Sequence, residues 1–275
     1  MDEHDLKIPY IPDGAELTRE ILIAQEERFM ALFDEIMECA AKFDVTLRVI
    51  GSLAFRLKCP DYKYMEYENL RYLTDIDFIA YSEEIVRVQD MFFDMNWAEN
   101  QSVLQMFGDK RRIFYHPTEP IHSDIFIDKL RFCHEVDFRK RLEIDYPTIS
   151  LVDLLLEKLQ IVEINKKDLV DVMVLLSQHP IGNDGRDKEF IDGAYLAQLC
   201  SYDWGWWRTA TINIEKTKNL AGEYLDENDA DKVREKLEQL SMRIDEQSKS
   251  IKWKLRSKIG DKVKWYREVE EVQRD

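Results

Sequence analysis

Apolar residues recur at three- and four-residue steps between Ala15 and about Phe43, at Ile21, Ala24, Phe29, Leu32, Phe33 and Ile36. That period predicts a helix. The pattern then changes to alternation in "DVTLRVIG". Val45, Leu47 and Val49 fall on one face, and Thr46, Arg48 and Ile50 on the other, which predicts a strand. "SLAFRLK" reads as a short helix or turn. A polar, tyrosine-rich insertion over 59–72, centred on "PDYKYMEYENLRY", separates it from a second strand, "TDIDFIAY". Ser82 suits the N-cap of a helix in "EEIVRVQDMFFDMN". "KRRIFYHP" and "IHSDIFIDKL" read as a hairpin around "TEP".

Beyond Pro147 the pattern is helical. Ser150 with Asp153 forms a capping box before "LLLEKLQIVEI", and Asn165 with Asp168 forms a second before "LVDVMVLLSQ". "HPIGNDG" reads as a loop. Further helices are expected over roughly 187–201, 203–222, 228–246 and 249–271. The expected fold class is α+β. An α/β domain with a small mixed sheet covers 1–146, and an all-helical domain covers 147–275.

Composition narrows this picture. The chain has 275 residues and a net charge of −16, a length that suits two domains or lobes. The first twenty residues are acidic and lack an apolar signal-peptide core. "SLVDLLLEKLQIVEI" is too broken by charge to span a bilayer. Cys39, Cys59, Cys133 and Cys200 are scattered, without metal-ligand spacing, which suits reduced thiols in the cytoplasm. The acidic balance excludes non-specific nucleic-acid binding. The basic stretch 249–267, "KSIKWKLRSKIGDKVKWYR", keeps a specific RNA contact open.

The chemistry is concentrated in a few places. Asp75 and Asp77 share one face of the second strand. They are either a strand beginning in solvent or oxygen ligands for a hard cation. Asp124 lies on a later strand and can complete a three-carboxylate cluster. Asp128 is the alternative third ligand, with a solvated strand end as its plainer reading. Gly51 and Ser52 stand at a strand-to-helix junction, where bare backbone and free N–H groups suit a phosphate. Ser52 also reads as a simple N-cap. Arg56, one turn on, is placed to reach the same phosphates. Lys158 sits in a strongly apolar helix, either snorkelling or meeting a phosphate. Asp168 is explained by its capping box. Asp171 is surrounded by apolar residues and needs a partner, with Lys158 or Lys167 as the choices. Trp204, Trp206 and Trp207 read as packing ahead of a base-stacking platform. His122 and His134 read as structural or incidental.

In order, "IGSLAF", "TDIDF" and "HSDIF" resemble the signature of the polymerase-β-like nucleotidyltransferase superfamily. "LLLEKLQIVEINKKDLVDVMVLL" resembles the helical motifs of its abortive-infection toxin-type (AbiEii-like) branch. The resemblance covers roughly 45–178. It implies a nucleotidyltransferase palm followed by helices. The implied reaction is transfer of a nucleoside monophosphate from an NTP to an acceptor hydroxyl. Asp75, Asp77 and Asp124 would hold Mg²⁺, as two ions, with Mn²⁺ as an alternative. Gly51, Ser52 and Lys158 would meet the phosphates, and Asp171 would orient Lys158 or the acceptor. The acceptor would be an RNA end such as tRNA held by the 249–267 stretch, a protein, or a small molecule. A toxin–antitoxin or phage-defence role with a cognate antitoxin also follows only from the resemblance. The runner-up is a non-catalytic nucleotide- or partner-binding protein on the same fold. Two departures stand out. The 59–72 insertion lengthens the gap between the two halves of the signature and reads as a lid or substrate loop. Lys167 stands where the family often has arginine, a weaker phosphate contact.

Overall fold

The computed structural model describes residues 8–12, 14–182 and 187–268. Helix α1, Arg19–Lys42, begins where Thr18 Oγ1 accepts from the Ile21 N–H, and it buries Leu22, Phe29, Leu32, Phe33 and Ile36. Strand β1 is short, Arg48–Ile50, and runs straight into α2, Gly51–Lys58. The tyrosine-rich insertion holds a single turn of helix, α3, Tyr64–Glu68. Next come β2, Ile76–Ala80, and α4, Ile85–Asp94. The expected cap at Ser82 is not formed. Ser82–Glu84 is a 3₁₀ turn, and α4 has no side-chain cap. The pattern also hid β3, Ala98–Glu99, and α5, Gln101–Phe107. The expected hairpin is β4, Arg111–Tyr115, with β5, His122–Ile127. A second, smaller hairpin follows, β6, Lys129–Arg131, and β7, Glu135–Asp137.

The main sheet has five strands in the order β1-β2-β5-β4-β3. Its central pair, β2 and β5, is parallel, and the other neighbours are antiparallel. The fold is therefore mixed α+β with a small mixed sheet.

The helical half opens with α6, Leu151–Leu159, and α7, Lys166–Gln178. The N-cap half of each expected box forms: Ser150 Oγ accepts from the Asp153 N–H, and Asn165 Oδ1 from the Asp168 N–H, while the Asp153 and Asp168 carboxylates turn to Arg141 and Lys158. Two short parallel strands, β8, Ile181–Gly182, and β9, Ile191–Asp192, lead to α8, Gly193–Tyr202, so the all-helical expectation for 147–275 is corrected: the chain pairs briefly on either side of the loop after α7. Then follow α9, Trp204–Tyr224, α10, Glu227–Glu246, and α11, Ile251–Ser257. The expected helix 249–271 is thus cut short. Gly260 takes φ +59°, a left-handed conformation that ends regular helix, and Arg256 folds back to donate to the Gly260 and Val263 carbonyls. Residues 269–271 of that expectation, and 183–185 of the "HPIGNDG" loop, lie outside the described residues.

One hydrophobic core runs through both halves, from Phe29 on α1 through Phe78 and Phe114 in the sheet to Leu155, Leu175 and Leu237 in the helices. α6 and α7 pack on α2, which places the helical half directly behind the β1–α2 turn. Among the described residues no helix is long and apolar enough to cross a membrane.

The 59–72 insertion is not a loose flap. The Asp61 N–H donates to Gln178 Oε1 at 3.1 Å, Lys63 Nζ reaches Glu26 at 2.7 Å, Tyr67 Oη donates to Glu26 at 2.6 Å, and Arg71 pairs with Asp171 at 3.3 Å. These ties hold the segment against α1 and α7.

Candidate functional site

β2 and β5 run in parallel with Asp77 opposite Asp124. Residues in register across neighbouring strands point to the same side, about 5 Å apart. Asp75, just ahead of β2, follows Asp77 by the two-residue period. The sheet therefore brings Asp77 and Asp124 to one face, and Asp75 meets that face through His122, two residues before Asp124 on β5. Asp128 is elsewhere. It sits at the far end of β5 with φ +59°, and its carboxylate accepts from the Ser82 N–H at 3.0 Å. Of the two readings for the third acid, the register brings Asp124 to Asp77.

Each outer acid has a cationic or hydrogen-bonding neighbour. Thr74 Oγ1 donates to Asp75 at 2.8 Å, and His122 Nε2 lies 3.6 Å from the other Asp75 oxygen. Arg111 on β4 forms an ion pair with Asp124 and also lies over the Phe126 ring, 5.3 Å from its centroid. Neither Arg111 nor His122 stood out in the sequence as part of the site. Arg111 becomes visible only once β4 is paired with β5.

The turn into α2 lies against this face. Ile50 pairs with Asp77, and Gly51 takes φ +70°. A methyl group placed on Gly51 would stand 3.0 Å from Asp77 Oδ2. Glycine is required here twice over, for the left-handed backbone and for the close approach. Gly51→Ala is expected to cost about 1–2 kcal/mol of stability and to lower any reaction at Asp77 about a hundredfold by displacing the carboxylate. Chemical denaturation and turnover measured on the same preparation check this.

The Gly51 N–H does not wait for a phosphate. It donates to Glu157 Oε2 at 3.1 Å. A buried carboxylate from α6 thus stands at the positive end of α2, where a phosphate was expected to sit. Burial pushes the Glu157 carboxyl above its ordinary range, opposed by Lys158 and by this N–H. What remains for a ligand is Ser52, the amide groups that follow it in the first turn, and the acid face beside them.

Glu157 leads into a buried ionic network. Lys158 Nζ lies 2.9 Å from Asp171, 3.3 Å from Asp168 and 3.8 Å from Glu157, above the Phe55 ring. Burial alone would lower the Lys158 ammonium, but Asp171, Glu157 and Asp168 outweigh it and hold the group well above its ordinary range. Burial would raise Asp171; Arg71 and Lys158 outweigh it and keep it ionised. Asp171 therefore does hold Lys158, and Lys167 instead lies over the Tyr72 ring and donates to its hydroxyl. Asp168 does more than cap α7. With its side chain 8% exposed, Lys158 reads here as the centre of a charge network behind the Gly51 turn.

Arg56 is corrected. Its guanidinium is buried between Glu26, at 2.5 Å, and Glu66, and it also donates to the Arg71 carbonyl. The helical spacing put it one turn from Ser52, but the packing turns it inward, so it is a part of the fold and not a phosphate ligand. Burial raises Glu66 to about 7 despite Arg56.

The remaining expectations concern packing. Trp204 and Trp206 are buried, Trp204 meets Trp207 and Trp265, and Trp207 meets Trp253, so their faces are used within the helical half. His134 is buried against Trp206 and shares a 2.8 Å hydrogen bond with Thr209. Burial lowers it to about 4. A histidine held neutral in the fold but free to protonate at about 6.5 when unfolded makes the unfolded state bind more protons between these values. Stability is then complete above pH 6.5 and falls as pH drops toward 4, by up to about 1.4 kcal/mol per pH unit. Urea midpoints at pH 4.5, 5.5 and 6.5 should show this slope, and His134→Gln should flatten it.

As donors, three carboxylates beside a bare glycine turn fit a hard divalent cation. They are not gathered into a cage: among the described residues no group of three His, Cys, Asp or Glu side chains is placed to hold a metal ion. Arg111 pairs with Asp124 at the same face. No protein-family model, no curated protein and no solved structure matches this chain.

Proposed function

We propose that the chain transfers a nucleoside monophosphate from an NTP to an acceptor hydroxyl. The observation that carries this reading is the register that sets Asp77 beside Asp124, with Gly51 pressed against Asp77. Phosphoryl-type transfer asks little covalent chemistry of a protein. It needs charge stabilisation and alignment. Asp75, Asp77 and Asp124 would hold Mg²⁺ or Mn²⁺, which supplies positive charge to the phosphates and lowers the pKa of a bound hydroxyl.

The chain's own groups do the rest. Ser52 and the α2 amides after Gly51 bind the outer phosphates. Gly51 keeps the backbone close to the carboxylates. The acceptor oxygen bonds to the α-phosphorus as the bond from that phosphorus to the β-phosphate bridging oxygen breaks. Asp124 takes the acceptor proton, and pyrophosphate leaves. Lys158 acts at one remove, through Glu157 and the turn it fixes. For the acceptor, the exposed lysines around α11 favour an RNA end, held there by a local phosphate contact without base stacking, since the tryptophans beside them are engaged in packing.

A second reading has its own support. Arg111 on Asp124 and Glu157 on the Gly51 N–H occupy two ligand-facing positions from within. That suits a protein that binds a nucleotide or a partner without turning it over. The two readings part in one assay: the protein with each α-labelled NTP, Mg²⁺ and total RNA or itself as acceptor. Label appearing on an acceptor in wild type and absent with Asp77→Ala supports transfer. NTP-dependent thermal stabilisation with no label transfer supports the binding-only reading. Transfer that persists in Asp77→Ala sinks the proposed site.

A further inference from the structure

We infer that Arg111 is a built-in counter-ion that holds Asp124 until the phosphates of a nucleotide draw the guanidinium away, which makes the carboxylate a metal ligand only when nucleotide is present. This rests on the nucleotide reading above and concerns its regulation. Arg111 pairs across the β4–β5 ladder with Phe126, and Asp124 pairs with Ile113. Arg111 is therefore the diagonal neighbour of Asp124 on the same face, within reach for a long side chain. The two ends of the pair differ in freedom. The Asp124 side chain is 2% exposed and fixed to the sheet, whereas that of Arg111 is 16% exposed on a long stem. If the pair opens, the arginine is the one that moves.

Charge balance gives the reason for opening. Neighbouring carboxylates repel unless a cation is near. At Asp124 that cation is Arg111, and at Asp75 the neighbour is His122. A divalent ion arriving alone must displace a charge-assisted pair to reach Asp124. A divalent ion arriving with a triphosphate brings its own anion. The guanidinium, which meets Asp124 through a single Nη2 contact, can exchange that carboxylate for phosphate oxygens and grip them with both prongs of its fork. The Phe126 ring beneath Arg111 gives the planar group a surface to slide along. While Arg111 holds Asp124 Oδ2, that oxygen is engaged by the guanidinium.

The test is Mn²⁺ binding to the full chain without nucleotide, followed by calorimetry and by the spin signal of free Mn²⁺. Arg111→Gln is expected to bind Mn²⁺ at least about tenfold more tightly than wild type, and to bind NTP more weakly in the presence of Mn²⁺. Arg111→Lys, which keeps the charge but loses the fork, should fall between the two and carries the same test if Arg111→Gln does not fold. Asp77→Asn should lose Mn²⁺ binding. The inference is overturned if Arg111→Gln binds Mn²⁺ no tighter than wild type while Asp77→Asn still abolishes it. If no variant binds Mn²⁺ with or without NTP, or Asp77→Asn leaves binding unchanged, the nucleotide reading fails and this inference goes with it.

Discussion

Asp77→Ala is expected to leave the fold standing and to lower nucleotidyl transfer on the order of 10³-fold or more. The size follows from position. Asp77 is the residue on which the site's parts converge: Ile50 opposes it from one side, Asp124 from the other, and Gly51 approaches its Oδ2 to within what a methyl group would make 3.0 Å. Removing its carboxylate takes away the charge at the point where these elements meet. The fold should tolerate the change, because the residue is only partly buried and one of two closely opposed carboxylates disappears. Circular dichroism and the melting temperature provide the control, and label transfer from an α-labelled NTP provides the reading. A variant with native stability and unimpaired transfer would remove Asp77 from the mechanism.

The largest effect on stability is expected at Lys158. Lys158→Ala leaves Asp171, Asp168 and Glu157 around an emptied position in the core. Breaking one arm of a buried ion pair typically costs about 3–5 kcal/mol, because the surviving charge has lost both water and partner. Asp171 keeps Arg71 at 3.3 Å, which moderates the loss. Replacing the closest pair at once, Lys158→Met with Asp171→Leu, should recover only part of the stability, because apolar groups of similar volume suit the position but Arg71, Asp168 and Glu157 each lose a partner. Urea midpoints compare the three proteins. If the single variant is as stable as wild type, the network does not hold the turn. The double variant also separates roles: transfer retained at wild-type level would show that Lys158 has no part in the reaction, even through Glu157.

The sequence could show what is decided within a few residues. The N-caps of α6 and α7, the helix period of α1 and the glycine at the strand-to-helix turn are all local, and each stands in the structure. What it could not show depends on pairing across distance. The register of β2 with β5 chooses Asp124 over Asp128, and nothing in "HSDIFID" alone fixes that. The Arg111–Asp124 pair depends on how β4 slides along β5. Arg56 was misplaced because a four-residue spacing defines a helix face but does not say whether it looks toward ligand or core. Its real partners, Glu26 and Glu66, come from α1 and the insertion. Glu157 gave no signal beyond its place in an apolar helix, because its partner is a backbone N–H more than a hundred residues earlier.

The grip of Arg71 on Asp171 has a consequence for redesign. A surface segment is normally the easiest part of a protein to exchange. The 59–72 segment carries one arm of a buried charge network at its end, so it cannot be swapped as a cassette. A transplanted loop of any length must still deliver an arginine to the position of Arg71, or the core of the neighbouring helices inherits a half-neutralised acid. Change in this region is therefore confined to the stretch between its anchors, and a library built there should keep Lys63, Glu66, Tyr67 and Arg71 fixed.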